Sequence, residues 1–327
     1  MTLREKTAMD QMAYADRRRL RRKLTFWRVA AVVLVVAIGF SLYRVAAGSS
    51  ESTLRPHVAR VEISGMITDN TELLDRLEKI AENDQVKAVI ISISSPGGTT
   101  YGGERIFKAI RAISEKKPVV SDVRTLAASA GYMIATAGDM IIAGESSITG
   151  SIGVIFQYPQ VDELMKKLGV SLQEIKSAPL KAEPSPFHPA SEEAKTMIRS
   201  MIMDSFDWFV DLVADRRGMS REDALKLADG SIFTGRQALK VKLIDQLGGN
   251  KEIRTWLETR GVAKSLPELE WKKKEESSFF SLPTAVVYFA RLMGIDTNLS
   301  PEAMRQWGGD KLFLDGLVSV WQVGDDR

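Results

Sequence analysis

Apolar and polar positions along the middle of the chain alternate as they do in repeated strand and helix units. Residues 58–67 and 86–95 predict strands, and the second of these is apolar through its centre. Between them the sequence predicts a helix that Asp69 or Asn70 caps. The apolar residues of this helix fall on one face, namely Leu73, Leu74, Leu77, Ile80 and Ala81.

The alternation continues as far as residue 217 and indicates the α/β class. It predicts, in chain order, a helix over 101–114, a strand over 118–123, a helix over 128–137, strands over 140–143 and 152–156, and a long amphipathic helix over 191–217. Methionine and phenylalanine are frequent in the long helix, which indicates a core or a subunit interface rather than a cofactor site. Further on, Ser220 and Asp223 resemble a capping box, and residues 230–238 lead into another helix.

The amino-terminal region has a different pattern, in which clustered arginines precede an uninterrupted apolar run over 29–43. An arginine flanks each end of the run, and such long side chains can reach the interfaces of a bilayer. We therefore interpret 24–47 as a transmembrane anchor and 1–23 as a basic cytoplasmic head. A cleavable signal peptide is the alternative, because the small residues at 46–48 resemble a cleavage site.

The positive-inside rule places the chain after the anchor on the far side of the membrane, beginning with a short tether at 48–57. The net charge of +3 is concentrated in the arginine block, and no basic patch with interleaved aromatic residues follows it. Nucleic acid is therefore not an expected partner. With no cysteine and two histidines, the chain is not expected to hold a structural zinc ion, and we expect neither a metal nor an organic cofactor.

Ser129 is the candidate nucleophile. It lies among small residues at the predicted start of a buried helix, and the apolar strand before it ends in Pro96, Gly97 and Gly98. Glycines of this kind let backbone amides approach a substrate carbonyl, so the two segments predict a nucleophile and its oxyanion hole. The same small residues are also typical of a helix that simply packs tightly against a sheet.

Neither histidine suits the base of a Ser-His-Asp triad, because His57 falls in the predicted tether and His188 lies between prolines. A lysine can take the proton instead only if its amine is neutral, which requires burial or a cationic neighbour. Lys181 is a candidate because it opens a proline-punctuated loop whose apolar residues are expected to desolvate it, namely Ala178, Pro179, Leu180 and Ala182. The alternative is an ordinary solvated loop lysine.

Five motifs, in order over about residues 59–249, resemble the signal peptide peptidase A (SppA) family of serine proteases. They are Ser95-Pro-Gly-Gly98, Ala127-Ala-Ser-Ala-Gly-Tyr132, Ile148-Thr-Gly-Ser-Ile-Gly-Val154, Lys176-Ser-Ala-Pro-Leu-Lys181 and Asp229-Gly-Ser-Ile-Phe-Thr-Gly-Arg-Gln-Ala238. The resemblance implies a Clp protease/crotonase-like fold of stacked ββα units. One departure is Ala130, where many relatives have a glycine, but the group required there is a backbone amide, which alanine also supplies.

The resemblance also implies the roles of individual residues. Ser129 and Lys181 correspond to the nucleophile and general base of a Ser-Lys dyad, with the spacing of the short form of the family. Ser151 corresponds to an accessory serine whose hydroxyl holds the lysine amine, although Gly150-Ser151 alone is typical of a turn. The oxyanion hole would be the backbone N–H groups of Gly98 and Ala130.

Together, the predicted anchor and the resemblance imply a single-pass enzyme of the bacterial inner membrane, with its amino terminus in the cytoplasm and a periplasmic peptidase domain at 58–264. Its substrates would be hydrophobic peptides such as the signal peptides that remain after cleavage by signal peptidase. The resemblance further implies a homo-octameric ring. The tail at 265–327 is expected to contact either a neighbouring subunit or the membrane surface, and an unstructured tail is the alternative.

Three other functions are compatible with parts of this pattern. A membrane protease that acts on stomatin-like proteins would share the chemistry and differ in its substrate profile. A crotonase-like acyl-CoA enzyme would have the two amides but no Ser-Lys pair, and it would bind coenzyme A. A non-catalytic membrane scaffold of the same fold would keep its function without Ser129.

Overall fold

The computed structural model describes residues 26–36, 39 and 55–272, and the backbone of 318–320. The chain divides into two units, Met1–Arg55 and Pro56–Arg327. In the first unit, residues 26–36 are helical and expose apolar side chains. Within the described ranges, no helix has both the length and the apolar character needed to cross a bilayer. The remainder of the predicted anchor lies outside those ranges.

The second unit contains helices and strands in alternation. Its described helices are α1 (Thr71–Glu82), α2 (Thr100–Ser114), α3 (Ala130–Ala135), α4 (Asp162–Lys167), α5 (Glu192–Arg217), α6 (Arg221–Lys226), α7 (Gly235–Lys240) and α8 (Asn250–Thr259). Its described strands are β1 (His57–Ser64), β2 (Val86–Ser95), β3 (Gly97–Thr99), β4 (Val119–Ala128), β5 (Met140–Ala143), β6 (Ile148–Gly150), β7 (Ile232–Thr234), β8 (Gln246–Leu247), β9 (Glu268–Glu270) and β10 (Val318–Val320).

A mixed sheet of eight strands organises the unit, in the order β7-β6-β4-β2-β1-β9, with β5 and β8 on a side branch. The branch begins at β4, whose residues 120–123 pair with β5 and whose residues 126–128 pair with β6. The pairs in this sheet are parallel except for β6 with β7. The carboxyl ends of β2 and β4 consequently lie side by side, which is where open α/β sheets bind ligands.

The central strands are buried on both faces, and this explains their continuous apolar sequence. In β2, Val89 and Ile91 belong to a large core that also contains side chains of α1, α2, α3 and α5. Ala88 and Ile90 point to the opposite face and pack with α8. The sheet is therefore covered on both faces, and β4 is held rigidly at its centre.

Most of the predicted elements are confirmed with shifts at their ends, the largest in β4, which was predicted to end at residue 123 and continues to Ala128. The strands β2 and β5 have the predicted bounds, and Asn70 and Ser191 cap α1 and α5. The predicted strand over 152–156 is wrong, because the chain turns out of the sheet at Ser151 and only Ile155 makes a bridge. The apolar residues there include Ile152, which is buried in the core without belonging to a strand.

Two regions differ from the predicted boundaries. His57 was predicted in the tether, but it is the first residue of β1 and is buried, where its Nε2 accepts a hydrogen bond of 3.0 Å from Trp271 Nε1. The strand β9 lies beyond residue 264 and pairs with β1, so the sheet extends into the region predicted as tail. The second half of α5 enters the core through Phe209 and Val213, whereas Met201 in its first half is exposed.

Candidate active site

Ser129 occupies the turn that joins β4 to α3. Its backbone angles are φ 58° and ψ −120°, a region that residues other than glycine rarely adopt, and the residue is 1 % exposed. Its N–H donates to Gly150 O at 2.8 Å, and its carbonyl accepts from Met133 N at 2.9 Å. The neighbouring strand and the helix thus fix the strained conformation from both sides, as in a nucleophile elbow.

Gly98 lies in β3, directly against the backbone of Ile67. A Cβ at this position would lie 1.9 Å from Ile67 O, so only glycine fits. Ile67 N donates to Gly97 O at 2.8 Å, and Thr99 N donates to Ile67 O at 2.8 Å. Because successive strand residues direct their N–H and C=O groups to opposite edges, those of Gly98 point away from Ile67.

The N–H and C=O groups of Gly98 face one edge of β3, and this edge is paired with another segment of the chain. The strand β10 lies antiparallel to β3, with Ser319 opposite Gly98 and Val320 opposite Gly97. This edge therefore receives an extended backbone from within the same chain. An extended peptide would add to it by the same main-chain hydrogen bonds.

Ala130 is the first residue of α3, so its N–H has no acceptor within that helix. The start of α3 is pressed against the end of β2, since a Cβ at Gly131 would lie 2.9 Å from Ser95 O. Contact with α2 is equally close, because a Cβ at Gly103 would lie 3.1 Å from the Ala130 Cβ. The segments that carry the Gly98 and Ala130 amides are consequently packed into one region.

Ser151 is the neighbour of Ser129 on the next strand. Ala128 pairs with Gly150 in the parallel register of β4 and β6, so the two serines each follow a paired residue. Ser151 has φ 51° and is 8 % exposed, and its N–H donates to Ser231 O at 2.7 Å. Adjacent strands are about 5 Å apart, which brings both serine backbones to the same end of the sheet.

Tyr132 anchors α3 to the protein interior. Its hydroxyl donates to Leu243 O at 2.7 Å, and the side chain is fully buried. Burial raises the pKa of Tyr132, so the phenol keeps its proton and its role as a donor. The hydrogen bond holds the helix that begins directly after Ser129.

Lys181 lies in the long connection between β6 and α5, of which α4 is the one helix described. Its side chain is exposed, whereas Ser129 and Ser151 are buried. The predicted desolvation of Lys181 is wrong for the single chain, because its neighbours are exposed as well, namely Ala178, Pro179, Leu180 and Ala182. This connection runs outside the core, so its apolar residues do not bury the amine.

Sequence analysis missed a cluster of charged side chains around this loop, which we call the Lys176 cluster: Glu174, Lys176, Glu183 and His188. Lys176 Nζ lies 2.7 Å from Glu174 Oε2 and 2.6 Å from Glu183 Oε1. Hydrogen bonds to these carboxylates raise the pKa of Lys176, and the hydrogen bond from Lys176 lowers the pKa of each of them. The sequence feature that could have indicated this cluster is the pair of acidic residues, Glu174 and Glu183, on either side of the Lys176–Lys181 motif.

The same cluster is the candidate metal centre of the described chain. One ligand atom from each of Glu174, Glu183 and His188 lies within 4.8 Å of the others. The Lys176 ammonium already lies between the two carboxylates and neutralises them. A metal ion would have to displace this side chain.

A polar groove of about 740 Å³ lies elsewhere on the unit, and its lining includes Arg60, Arg124 and Glu268. None of the predicted site residues lines it. The lining residue Arg60 forms an ion pair in which its Nη1 lies 2.9 Å from Asp122 Oδ2. The size of this groove therefore does not identify it as the reaction site.

A strained, buried serine at a strand-to-helix turn, beside a glycine strand with an outward-facing amide, is an arrangement typical of serine hydrolases of the α/β class. Residues 111–264 match peptidase family S49, and residues 58–145 match the Clp protease family. The chain belongs to peptidase family S49.

Individual relatives agree with this assignment. The chain is 33% identical to a putative signal peptide peptidase SppA of Enterococcus faecium, over 83% of this chain and 78% of that protein. It is 37% identical to a putative protease of Methanocaldococcus jannaschii, over 64% of this chain and 67% of that protein. A putative protease of Synechocystis sp. is 36% identical, over 64% of this chain and 76% of that protein.

Proposed function

We propose that this protein is a membrane-anchored serine endopeptidase with a Ser-Lys dyad, and that it hydrolyses hydrophobic peptides such as cleaved signal peptides. The observation that carries the proposal is the strained Ser129 beside a strand edge that pairs with an extended backbone. The similarity to a putative signal peptide peptidase supports the substrate class. The proposed reaction requires no metal or organic cofactor.

In the proposed reaction, the Ser129 hydroxyl attacks the carbonyl carbon of the scissile amide while Lys181 takes its proton. The N–H groups of Gly98 and Ala130 stabilise the negative oxygen of the tetrahedral intermediate. Lys181 then gives the proton to the leaving amine nitrogen, which leaves an acyl group on Ser129. Water attacks this ester with Lys181 again as base, and the carboxylic acid product is released.

The choice of Lys181 over Lys176 follows from their surroundings. Lys176 lies between two carboxylates that raise the pKa of its amine, so it stays protonated and cannot act as a base near neutral pH. Lys181 lies on the surface of the single chain, where another group can reach its amine. Ser151, at the same end of the sheet as Ser129, would hold this amine toward the nucleophile.

The proposed peptide site is the edge of β3. A substrate would pair there antiparallel, in the place where β10 pairs, and its scissile carbonyl would meet the Gly98 N–H. Main-chain pairing is independent of side chains, so it suits an enzyme that accepts varied hydrophobic sequences. It also requires an unfolded substrate, since a folded protein does not offer a free extended segment.

A homo-octameric ring is part of the proposal. The connection between β6 and α5 exposes apolar side chains that a second copy could cover. These side chains are Leu164, Leu168, Val170, Leu172, Ile175 and Phe187. Contact with a neighbouring copy would also bury the Lys181 loop, which the single chain leaves exposed.

The location of the enzyme is proposed from its amino terminus. Residues 24–47 would anchor the chain in the bacterial inner membrane, with 1–23 in the cytoplasm and the catalytic unit in the periplasm. The exposed apolar side chains of the helix over 26–36 support this, and Phe26 and Trp27 would lie at the interface.

The test is peptidase activity of the full chain in detergent micelles, measured with a hydrophobic fluorogenic peptide and with a synthetic signal peptide. We expect Ser129→Ala and Lys181→Met each to lower kcat by about a thousandfold or more. Ser200→Ala and Lys167→Met are the controls, because both side chains are exposed and lie outside the five motifs. Full activity in Ser129→Ala would refute the proposal, and a signal peptide left uncleaved by an enzyme that cleaves the fluorogenic peptide would refute the substrate class.

A further inference from the structure

Lys181 has no regular secondary structure to fix its position. The residues around it form turns, and their side chains are exposed. A general base must nevertheless be held in place, because a displacement of about 1 Å can cost about a hundredfold in rate. Contacts within its own loop can supply this constraint, in addition to the proposed contacts with Ser151 and with a neighbouring copy.

The Lys176 cluster supplies such contacts from both sides of Lys181. Lys176 precedes it in the chain and Glu183 follows it, and their side chains meet at 2.6 Å. Glu174 contacts the same ammonium at 2.7 Å, and His188 Nε2 lies 3.4 Å from a carboxylate oxygen of both Glu174 and Glu183. The cluster thus joins the two ends of the loop that carries Lys181.

The ion pair is shielded from solvent although the loop is exposed. The Glu183 side chain is 7 % exposed and that of Lys176 is 20 % exposed. Charge-assisted hydrogen bonds with little solvent contact are stronger than those of exposed pairs. The other carboxylate oxygen of Glu183, Oε2, is buried and has no hydrogen-bond partner among the described residues. The contact of Oε1 with Lys176 is therefore the main interaction of this carboxylate.

The backbone between the two partners is tightly bent. Lys181 N donates to Ala178 O at 3.0 Å, and Ala182 has φ 60°, which costs energy in a residue other than glycine. Such a conformation persists only where its surroundings maintain it. Glu183 is the next residue, so its contact with Lys176 acts directly on this bend.

We propose that the Lys176–Glu183 ion pair, supported by Glu174 and His188, is a positioning device that holds Lys181 for proton transfer with Ser129. The inference depends on the proposed function, because it assigns Lys181 the role of base. Lys176 does not contact the reacting atoms in this scheme. It acts through the loop, and its loss should change the rate of chemistry more than the binding of the peptide.

The kinetic test uses Lys176→Met, Glu183→Gln and the double variant in the full chain, with Lys167→Met as control. We expect each single variant to lower kcat by about tenfold or more while KM changes by less than about threefold. The double variant should lose no more than about twofold beyond the single variants, because both remove the same contact. Lys176→Arg keeps the charge and should retain at least about a third of the wild-type kcat.

A second measurement, hydrogen exchange, reports on the loop itself. It distinguishes a loss of positioning at Lys181 from a general loss of stability. We expect hydrogen exchange at the Lys181 amide to be about tenfold faster in Glu183→Gln than in the wild-type chain, with no change in α3 or β4. Equal exchange in the two chains would overturn the inference. Faster exchange throughout the unit would also overturn it, because the pair would then be a general structural contact.

The outcomes for this inference and for the proposed function are distinguishable. Activity that survives Ser129→Ala refutes the proposed function and this inference with it. Activity that depends on Ser129 but is unchanged in Lys176→Met refutes only the positioning role. An equal fall of kcat in Lys167→Met, or a rise of KM with kcat unchanged, also refutes the positioning role.

Discussion

At the scale of single residues, the proposed chemistry depends on backbone positions that few residues can occupy. Ser129 has a positive φ and lies between two strands and a helix that hold it there. Gly98 has no room for a side chain, because Ile67 O occupies the space where a Cβ would lie. Both the strain and the close contact cost free energy locally, and the packing of the rest of the sheet offsets that cost.

Replacement of Gly98 tests the oxyanion hole. In Gly98→Ala the new Cβ would lie 1.9 Å from Ile67 O, so β3 has to shift and its amide moves with it. We expect kcat to fall by about a hundredfold, the usual effect of losing one oxyanion donor. Gly249→Ala is the matched control, because no heavy atom lies within 4 Å of its added Cβ, and it should keep wild-type kcat. Wild-type kcat in a folded Gly98→Ala enzyme would contradict the assignment.

How far the site is predictable from sequence depends on whether its residues are fixed by local backbone. Gly98 after an apolar strand and Ser129 at the start of a predicted helix leave a local signal that marks them as candidates, whereas Ser151 is a candidate through the family resemblance alone. The Lys176 cluster was not predicted, because its contacts arise from side chains on both arms of an irregular loop. The exposure of Lys181 was mispredicted for a related reason, since apolar neighbours in sequence do not bury a residue unless the loop packs against something.

At the scale of helices and strands, the proposed site forms where β4 ends and α3 begins. β4 pairs with β5 in its first half and with β6 in its last residues, so its end lies beside Gly150. The elements buried on both faces were predicted well, because continuous apolar runs leave few alternatives. The predicted strand over 152–156 failed because burial of Ile152 is compatible with a loop as well as with a strand.

The hydrogen bond from Tyr132 to Leu243 O tests how α3 is held. Tyr132→Phe removes the donor and leaves a buried carbonyl unpaired, so we expect the free energy of unfolding to fall by about 1–3 kcal/mol. Tyr101→Phe is the control, since Tyr101 is 58% exposed, and it should change stability by less than about 0.5 kcal/mol. Urea unfolding at pH 8 measures both variants, and equal stability would contradict the structural role of Tyr132.

The ionisation of Tyr132 predicts that the stability of the folded chain depends on pH. Burial raises the pKa of Tyr132, whereas a tyrosine in the unfolded chain loses its proton near pH 10. Above that pH the folded state binds more protons than the unfolded state, so this contribution to stability is lost as the pH rises. We expect stability to fall between pH 8 and pH 10.5 more steeply in the wild-type chain than in Tyr132→Phe. An equal slope of stability against pH in the wild-type chain and in Tyr132→Phe would contradict this role of the Tyr132 pKa.

At the scale of the whole molecule, two segments far apart in sequence meet at the proposed peptide site. The strand β10 pairs with β3, which carries Gly98, although more than two hundred residues separate them. Sequence analysis predicted that this tail contacts a neighbouring subunit or the membrane surface. It did not predict the pairing with β3, because pairing along a strand edge needs no particular side chains. The chain's own backbone thus occupies the edge that a substrate would use.

Competition between β10 and substrate is therefore expected. Ser319→Pro removes a backbone donor from β10 and weakens its pairing with β3, so KM for peptides should fall by about threefold with kcat unchanged. Ser319→Ala keeps the backbone donor and is the control, with an unchanged KM. Steady-state kinetics on the fluorogenic peptide measures both, and identical KM values in the two variants would show that substrate binds elsewhere.

The central claim is that Ser129 is a nucleophile activated by Lys181, and covalent labelling with a fluorophosphonate tests it most directly. Mass spectrometry of the labelled full chain should find a single phosphonylated residue, Ser129. The labelling rate should fall by about tenfold or more in Lys181→Met and remain unchanged in Lys167→Met. Labelling of a different residue, or an equal rate in Lys181→Met and the wild-type chain, would contradict the account.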